Sequence, residues 1–486
     1  MFDFFGGVTH LKLRAVFRPK TLCVIGVSQY NPLSPGTVIY QKNLHEMEVE
    51  VFGVNPRGGK IDDREIYKSV SDVPKDIDLA VICIHAEAVN GVMEECGEVG
   101  VKGVVVVSGG FAEIGGEGVE RQNQLVKIAR KYDMAVIGPN CVGVYSPPYV
   151  DTFFLPSERL VTPPPGNVAV ISQSGGVLVD QFFSKYTERK IGVSVAVSIG
   201  NKAVVDENVL LDYFKNDPKT KLITLYIEGF REKEGALFLR KAAECFEKKP
   251  VLVFRAGKSD YGRRATVSHT GSVMTATNVA SAAFRQWGVI EAESEYEIIT
   301  FSKVLSFKLP SIKNGDVAIL TISGGHGVLC ADLCAQYGLR LVEFTEEEQE
   351  EMRRLLNPSA APIASLKNPI DLTGSLMDND VEKIADYLMK NEKVEALILL
   401  MLPYPPTISM QLGRRTANIV RKYRKPVVAY VPWLPKYSMI VEGFELNGVP
   451  VAHTVEEAVQ MIKALKLKGE AEMRINRTLS YERFSS

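Results

Sequence analysis

Short apolar runs dominated by valine and isoleucine recur along the chain about every 25 to 35 residues, with helix-like segments between them. Fifteen such runs fall into three groups of five. The first group occupies 21–27, 50–54, 78–84, 103–108 and 134–138, and the second 167–172, 192–199, 221–227, 250–255 and 288–292. The third occupies 316–321, 339–344, 395–401, 426–431 and 448–452. Runs this short and this uniformly apolar predict parallel strands covered on both faces, hence an α/β fold.

Pro147, Pro148 and Pro156 interrupt the pattern and predict a linker after the first group. The expected organisation is a Rossmann-like domain over 1–150, two flavodoxin-like parallel-sheet domains over 151–308 and 309–470, and a C-terminal tail over 471–486. The second and third groups also read as copies of each other. Gly166-Asn-Val-Ala-Val-Ile-Ser-Gln-Ser-Gly-Gly176 matches Gly315-Asp-Val-Ala-Ile-Leu-Thr-Ile-Ser-Gly-Gly325 without a gap. Further on, Phe284, Gly288, Ser294 and Glu297 recur at identical spacing as Phe444, Gly448, Thr454 and Glu457. Between these landmarks the copies differ: 34 positions separate Pro250 from Phe284, but only 18 separate Pro426 from Phe444. The second group therefore carries an insertion, and it contains His269.

Composition narrows the picture. At 486 residues the chain has room for about three domains with cores of their own. A formal net charge of −1 gives no electrostatic reason to expect nucleic acid or an anionic membrane as partner. The seven cysteines are an odd set without CxxC spacing, which fits a reducing compartment, so a cytoplasmic location is expected. No stretch approaches the roughly 20 apolar residues of a membrane span.

The inserted segment, Arg255 to Ser272, reads as a cationic, glycine-spaced loop leaving the carboxyl end of a buried strand, where open parallel sheets bind ligands. There His269, between Ser268 and Thr270, can act as a nucleophile toward an acyl phosphate. A phosphorylated imidazole needs amide donors close by, and Ser174, Gly175 and Gly176 at a strand-to-helix turn can provide them as a phosphate site. Glu228 ends a neighbouring apolar run and can fix the imidazole tautomer. Gly200-Asn201-Lys202 closes another run and can add amide or cationic contacts. His10, His45 and His453 read as structural or surface histidines, and no histidine pair has a metal-ligand spacing.

In the first group, Gly26 and Ser28 follow a strand as a half-formed dinucleotide fingerprint. After the next strand, Asn55, Arg57 and Lys60 stand where a ribose-binding acid is usual, so a phosphorylated ribose is favoured, whether the 3′-phosphate of coenzyme A or the 2′-phosphate of NADP. Ser108 and Gly109, and Asn140 and Cys141, end two further strands and complete the expected cofactor-binding set.

These segments together resemble the α subunit of ADP-forming (NDP-forming) acyl-CoA synthetases, within the succinyl-CoA synthetase α-like superfamily. The resemblance runs from Phe17 to about Ala464 and rests on Val24-Ile-Gly-Val-Ser28, Val54-Asn-Pro56, Gly109-Gly-Phe-Ala-Glu113, Ile137-Gly-Pro-Asn-Cys141, Ile171-Ser-Gln-Ser-Gly-Gly176, Ser198-Ile-Gly-Asn-Lys202, Tyr226-Ile-Glu-Gly229 and Ser268-His-Thr-Gly-Ser272. It implies coenzyme A on the first domain, a phosphohistidine at His269 supported by Glu228, and the reaction acyl-CoA + ADP + phosphate ⇌ acid + ATP + CoA. It also implies that ADP or ATP and Mg2+ sit on a separate ATP-grasp β subunit, in an α2β2 assembly. Val204 and Val209 stand where the family commonly has acids, and His85 and His326 where it has prolines. Three alternatives remain on the residues: a regulatory scaffold binding acyl-CoA without phosphoryl transfer, a superfamily ligase for another acid, and, from the first domain alone, an NADP-dependent oxidoreductase.

Overall fold

All fifteen apolar runs fold as strands, because valine- and isoleucine-rich segments of this length bury both faces only inside a helix-covered sheet. The computed structural model describes residues 10–231, 233–270 and 277–485, and the side chains of these except at 266–270, 277 and 476–485. It divides into two compact units, Met1–Ile299 and Thr300–Ser486.

The first unit holds two sheets. In the first sheet the strands are β1 (Thr21–Ile25), β2 (Glu50–Val54), β3 (Gly59–Ile61), β4 (Arg64–Tyr67), β5 (Leu79–Ile82), β6 (Gly103–Val106) and β7 (Ala135–Ile137). Their order is β3-β4-β2-β1-β5-β6-β7. Setting aside β3, which pairs antiparallel with β4, this is the Rossmann order, with its switch point between β1 and β5. The β3–β4 hairpin turns on Asp62 and Asp63, both at positive φ, as a two-residue turn of the type that matches strand twist requires.

The second sheet contains β8 (Val144–Ser146), β9 (Val150–Asp151), β10 (Pro165–Ser172), β11 (Val193–Ser198), β12 (Leu222–Ile227), β13 (Val251–Arg255) and β14 (Ile290–Ala292). From β14 through β13, β12 and β10 to β11 the order is flavodoxin-like, with the switch point between β10 and β12. Two of the three prolines expected to form a linker instead lie in this sheet: Pro147 and Pro148 turn the hairpin from β8 to β9, and β8 pairs antiparallel with β11, while Pro156 follows in the irregular segment before β10. Both strands of this hairpin are buried, and it is fixed by Asn43, whose amide donates to the Asp151 carbonyl at 2.5 Å and accepts the Asp151 N–H at 2.9 Å. One continuous core runs through both sheets, from Val24 and Ile137 to Ile171, Val197 and Leu225. That shared core accounts for the single unit up to Ile299.

In the second unit, β15 (Asp316–Thr321), β16 (Arg340–Leu341), β17 (Ile370–Asp371), β18 (Ala396–Leu400), β19 (Val427–Tyr430) and β20 (Val451–Ala452) make the third sheet. Its order β16-β15-β18-β19-β20 repeats the flavodoxin-like pattern, and β17 pairs with the end of β15. Instead of a tail beginning at 471, the helix Val455–Ser485 runs on without a break, with Ala471 and Ile475 buried.

The internal repeat has a physical counterpart. Ser294 and Glu297 form a reciprocal capping pair, the serine hydroxyl accepting the Glu297 N–H at 3.2 Å and the glutamate accepting the Glu293 N–H at 2.8 Å. Thr454 and Glu457 do the same at 3.0 and 2.8 Å.

A surface network in the second unit sets a pH dependence. Burial works to raise the Asp386 carboxyl, but hydrogen bonds from Lys422 (2.6 Å), Lys390 (2.9 Å) and Tyr423 (2.7 Å) outweigh it and hold the group down at about 2. A carboxylate depressed in the folded state stabilises above its unfolded pKa and loses that contribution as pH falls through the folded value. Asp386→Asn is therefore expected to cost about 1 kcal/mol at pH 7, discounted for the exposure of the lysines. Urea denaturation should show the difference shrinking steadily between about pH 4 and pH 2.

Candidate active site

At the switch point of the second sheet, β10 and β12 lie side by side, Ser172 opposite Tyr226. Beyond β10 the backbone is set by its own side chains. The Ser172 hydroxyl donates to the Ser174 carbonyl at 2.7 Å, and the Ser174 hydroxyl accepts the Val177 N–H at 3.3 Å as a helix N-cap. The first amides of a helix have no intrahelical acceptor. Val177 is satisfied by Ser174, and the amides of Gly175 and Gly176 stand ahead of it at the start of the helix. The two glycines serve different ends: a Cβ on Gly175 would stand 2.2 Å from Val142 Cγ2, whereas one on Gly176 would meet nothing nearer than Ser174 Oγ at 4.0 Å. Gly175 is needed for packing, and Gly176 leaves open space beside the cap. The helix continues as a π-helical turn, Leu178–Phe183.

Glu228 follows β12 directly and is 7% exposed. Its N–H and that of Gly229, the latter at 3.1 Å, both donate to Gln173 Oε1, so a side chain at the end of β10 fixes the backbone of the carboxylate next door. The Tyr226 hydroxyl is hydrogen-bonded to Glu228, and burial together with that charge pushes the phenol up. Since β12 pairs with β13, Ile227 opposite Arg255, the inserted segment leaves the sheet on the strand beside Glu228. Expected as a loop, it forms a helix, Asp260–Thr270, started by Ser259, whose hydroxyl accepts the Gly262 N–H at 3.0 Å, with Asp260 in the first turn. His269 falls in this helix, and its side chain lies outside the described residues.

The third sheet carries the copied turn differently. The Thr321 hydroxyl donates to the Ser323 carbonyl at 3.0 Å, as Ser172 does to Ser174. Ser323, however, makes no side-chain cap and pairs instead with His326 Nδ1 at 3.0 Å.

In the first sheet Gly26 lies at the switch point with φ +99, and a Cβ there would stand 2.3 Å from the Cys83 carbonyl oxygen. Only glycine fits. Ser28 accepts the N–H groups of Tyr30 and Asn31 and so shapes the loop after β1. The Asn55 amide donates to the Val27 carbonyl at 2.7 Å, tying the ends of β1 and β2 together. Arg57 and Lys60 are exposed beyond them. The Ser108 hydroxyl donates to the Ile84 carbonyl at 2.5 Å, and Gly109 sits against Asn140, whose N–H donates to the Ser108 carbonyl at 2.9 Å. Cys141 is a core residue: its thiol donates to the Val106 carbonyl at 3.3 Å, and burial pushes it up.

Comparison with known proteins decides the family. Residues 20–147 match the CoA binding domain, 165–305 the succinyl-CoA ligase like flavodoxin domain, and 317–434 the ligase-CoA domain. The chain is 36% identical to the acetate–CoA ligase [ADP-forming] I subunit alpha of Pyrococcus furiosus, over 94% of this chain and 97% of that one. The chain belongs to the ADP-forming acyl-CoA synthetases, in their α-subunit part. It is also 37% identical to the acetate–CoA ligase [ADP-forming] of Methanocaldococcus jannaschii, over 75% of this chain, and spans about half (49%) of that relative. A solved acetyl-coenzyme A synthetase 1 of Ca. Korarchaeum cryptofilum, described as dinucleotide forming and in complex with phosphate and ADP, superposes with a TM-score of 0.85 at 31% identity, covering 96% of this chain and 99% of that one.

Within this synthetase fold, Gln173 after β10 and Glu113 after β6 are polar residues that sequence reasoning did not single out, and Asn201 after β11, expected to add amide contacts, meets Glu113. Glu113 accepts the N–H groups of Gly110 (2.6 Å) and Phe111 (3.1 Å) and the Asn201 amide. Burial works to raise its carboxyl, but these hydrogen bonds prevail and lower it. Lys202, expected to offer a cation to the crevice, is buried against Glu207 at 2.8 Å. Val204 packs into the core of the first sheet at 6% exposure, where the acid common at that position would be buried. The signals for Gln173 and Lys202 were present: the third-domain copy has Ile322 where Gln173 stands, and an acid follows Lys202 at Glu207.

Proposed function

We propose that this synthetase α chain runs acyl-CoA + ADP + phosphate ⇌ acid + ATP + CoA through an acyl phosphate and a phosphohistidine at His269. Phosphate attacks the thioester carbonyl and CoA leaves as the thiol. The His269 imidazole then displaces the carboxylate from phosphorus, and ADP takes the phosphoryl group from the histidine. Ser174, Gly175 and Gly176 hold the phosphate with amides, and Glu228 accepts the second imidazole N–H. The first sheet holds CoA with Gly26, Ser28, Asn55, Arg57, Lys60, Ser108, Gly109 and Asn140, while Cys141, expected in the same set, packs into the core next to Asn140; the glycine at φ +99 and the open space beside Gly176 suit backbone approach to phosphates. The observation carrying this reading is the convergence, at one switch point, of the Ser174 cap, the Gln173-fixed Glu228 and the strand from which the His269 segment leaves.

ADP or ATP and Mg2+ belong to a separate ATP-grasp β subunit in an α2β2 assembly; near-complete coverage of a relative named as an α subunit supports this. Among the described residues no cluster of His, Cys, Asp and Glu is placed to hold a metal. Coenzyme A is a substrate here. Seven free cysteines support a cytoplasmic location, and no helix among the described residues is long and apolar enough to cross a membrane.

The test is a panel of acyl-CoAs with ADP, Mg2+ and phosphate, incubated with the chain plus a candidate β subunit. ATP should form only when both chains are present, and the fastest acyl-CoA names the acid. Binding of CoA without ATP formation from any acyl-CoA, with an active β subunit, would favour a regulatory scaffold instead.

A further inference from the structure

The peptide that carries Glu228 is held from two sides. Gln173 takes its N–H groups, and Lys202 Nζ donates to the Gly229 carbonyl at 3.1 Å. The Lys202 side chain is 4% exposed and lies 2.8 Å from Glu207 Oε1 and 3.6 Å from Glu234 Oε2. Glu207 Oε2 is buried as well and takes no hydrogen bond among the described residues. Burying an ammonium and a carboxylate together costs several kcal/mol that their attraction barely offsets, so apolar side chains would fill this space as well or better. What an apolar residue cannot supply is the donor to Gly229.

The other half of the same turn grips the CoA-binding sheet. Asn201 donates through its amide to Glu113 Oε2 and to Gln122 Oε1 (3.0 Å), and through its backbone N–H to the Pro139 carbonyl (3.0 Å). Glu113 in turn holds the amides of Gly110 and Phe111. Arg231, two residues past Gly229, donates to the carbonyls of Asn201 (2.9 Å) and Lys202 and closes the connection.

We infer that Lys202 is a positioning residue for Glu228, and that the Asn201–Lys202 turn carries the placement of the CoA-side loops 108–113 and 138–141 to that carboxylate. The inference rests on Glu228 being the partner of His269. Lys202→Met combined with Glu207→Gln removes the donor without leaving a lone buried charge. With acetyl-CoA and labelled phosphate, this variant should phosphorylate about 10- to 100-fold more slowly than the wild type, the range for loss of a group that orients a ligand-contacting residue. CoA affinity should stay within about twofold, because no CoA-facing group has changed. The acid limb of the pH–rate profile should also move to lower pH, since a carboxylate held less firmly against the imidazole stabilises its protonated form less. General loosening of the fold would not move that limb.

Asn201→Ala, which removes no charge, gives a second route if the double variant does not fold. It should slow phosphorylation by about three- to tenfold with the same shift of the acid limb. Phosphorylation within twofold of wild type in either folded variant, or a parallel loss of CoA affinity with the acid limb unmoved, would overturn the inference. Absence of label in the wild type would instead remove the His269 reading, and this inference with it.

Discussion

His269→Ala is expected to lower ATP formation by at least about 10³-fold, the scale seen when a covalent nucleophile is removed, while CoA affinity stays within about twofold. That loss corresponds to about 4 kcal/mol of transition-state stabilisation. CoA binding should survive because the CoA binding domain match spans 20–147, whereas His269 lies on the excursion after β13. The separation matters: a variant that merely unfolded would lose both. Isothermal titration with CoA and a coupled ATP assay on the same preparation separate the two outcomes. Retained activity would place the phosphoryl carrier elsewhere.

Gly176→Ala should separate function from stability in the opposite direction. An added Cβ has no atom closer than 4.0 Å, and alanine is a better helix former than glycine by about 1 kcal/mol. The variant should therefore unfold at the same temperature as the wild type or slightly above it. Its methyl group nevertheless occupies the space beside the Ser174 cap, where the proposed reaction brings a phosphate to the amides of Gly175 and Gly176, so phosphorylation should fall about 10²-fold, in line with loss of a preorganised donor site. Gly175→Ala makes the control. Its Cβ would overlap Val142, so stability should fall by about 1–3 kcal/mol. A Gly176→Ala protein with normal phosphorylation would mean that the phosphate is held elsewhere.

The strands were legible because runs such as Leu79–Ile82 and Ala396–Leu400 are apolar on both faces, and only a covered parallel sheet accommodates that. The β3–β4 hairpin was not, since Gly59–Ile61 and Arg64–Tyr67 are short, largely polar strands at one end of the sheet whose pairing depends on a two-aspartate turn. Pro147 and Pro148 looked like a linker because proline marks turns in general; what places them inside a sheet is Asn43, more than a hundred residues away in sequence. The copied turns show the same limit. Ser174-Gly-Gly and Ser323-Gly-Gly read alike, yet one serine caps its helix and the other pairs with His326, a difference set by the residue immediately after the shared motif. Lys202 could be read as a cation from its position, but its burial against Glu207 depends on how the following helix packs.

The most direct test of the account is to label the wild-type chain with acyl-CoA and radioactive phosphate, digest it under alkaline conditions and locate the label by mass spectrometry. An acid-labile, base-stable phosphate on the peptide containing His269 is the result predicted here. The same chemistry on another residue, or label recovered only as free acyl phosphate, would contradict it.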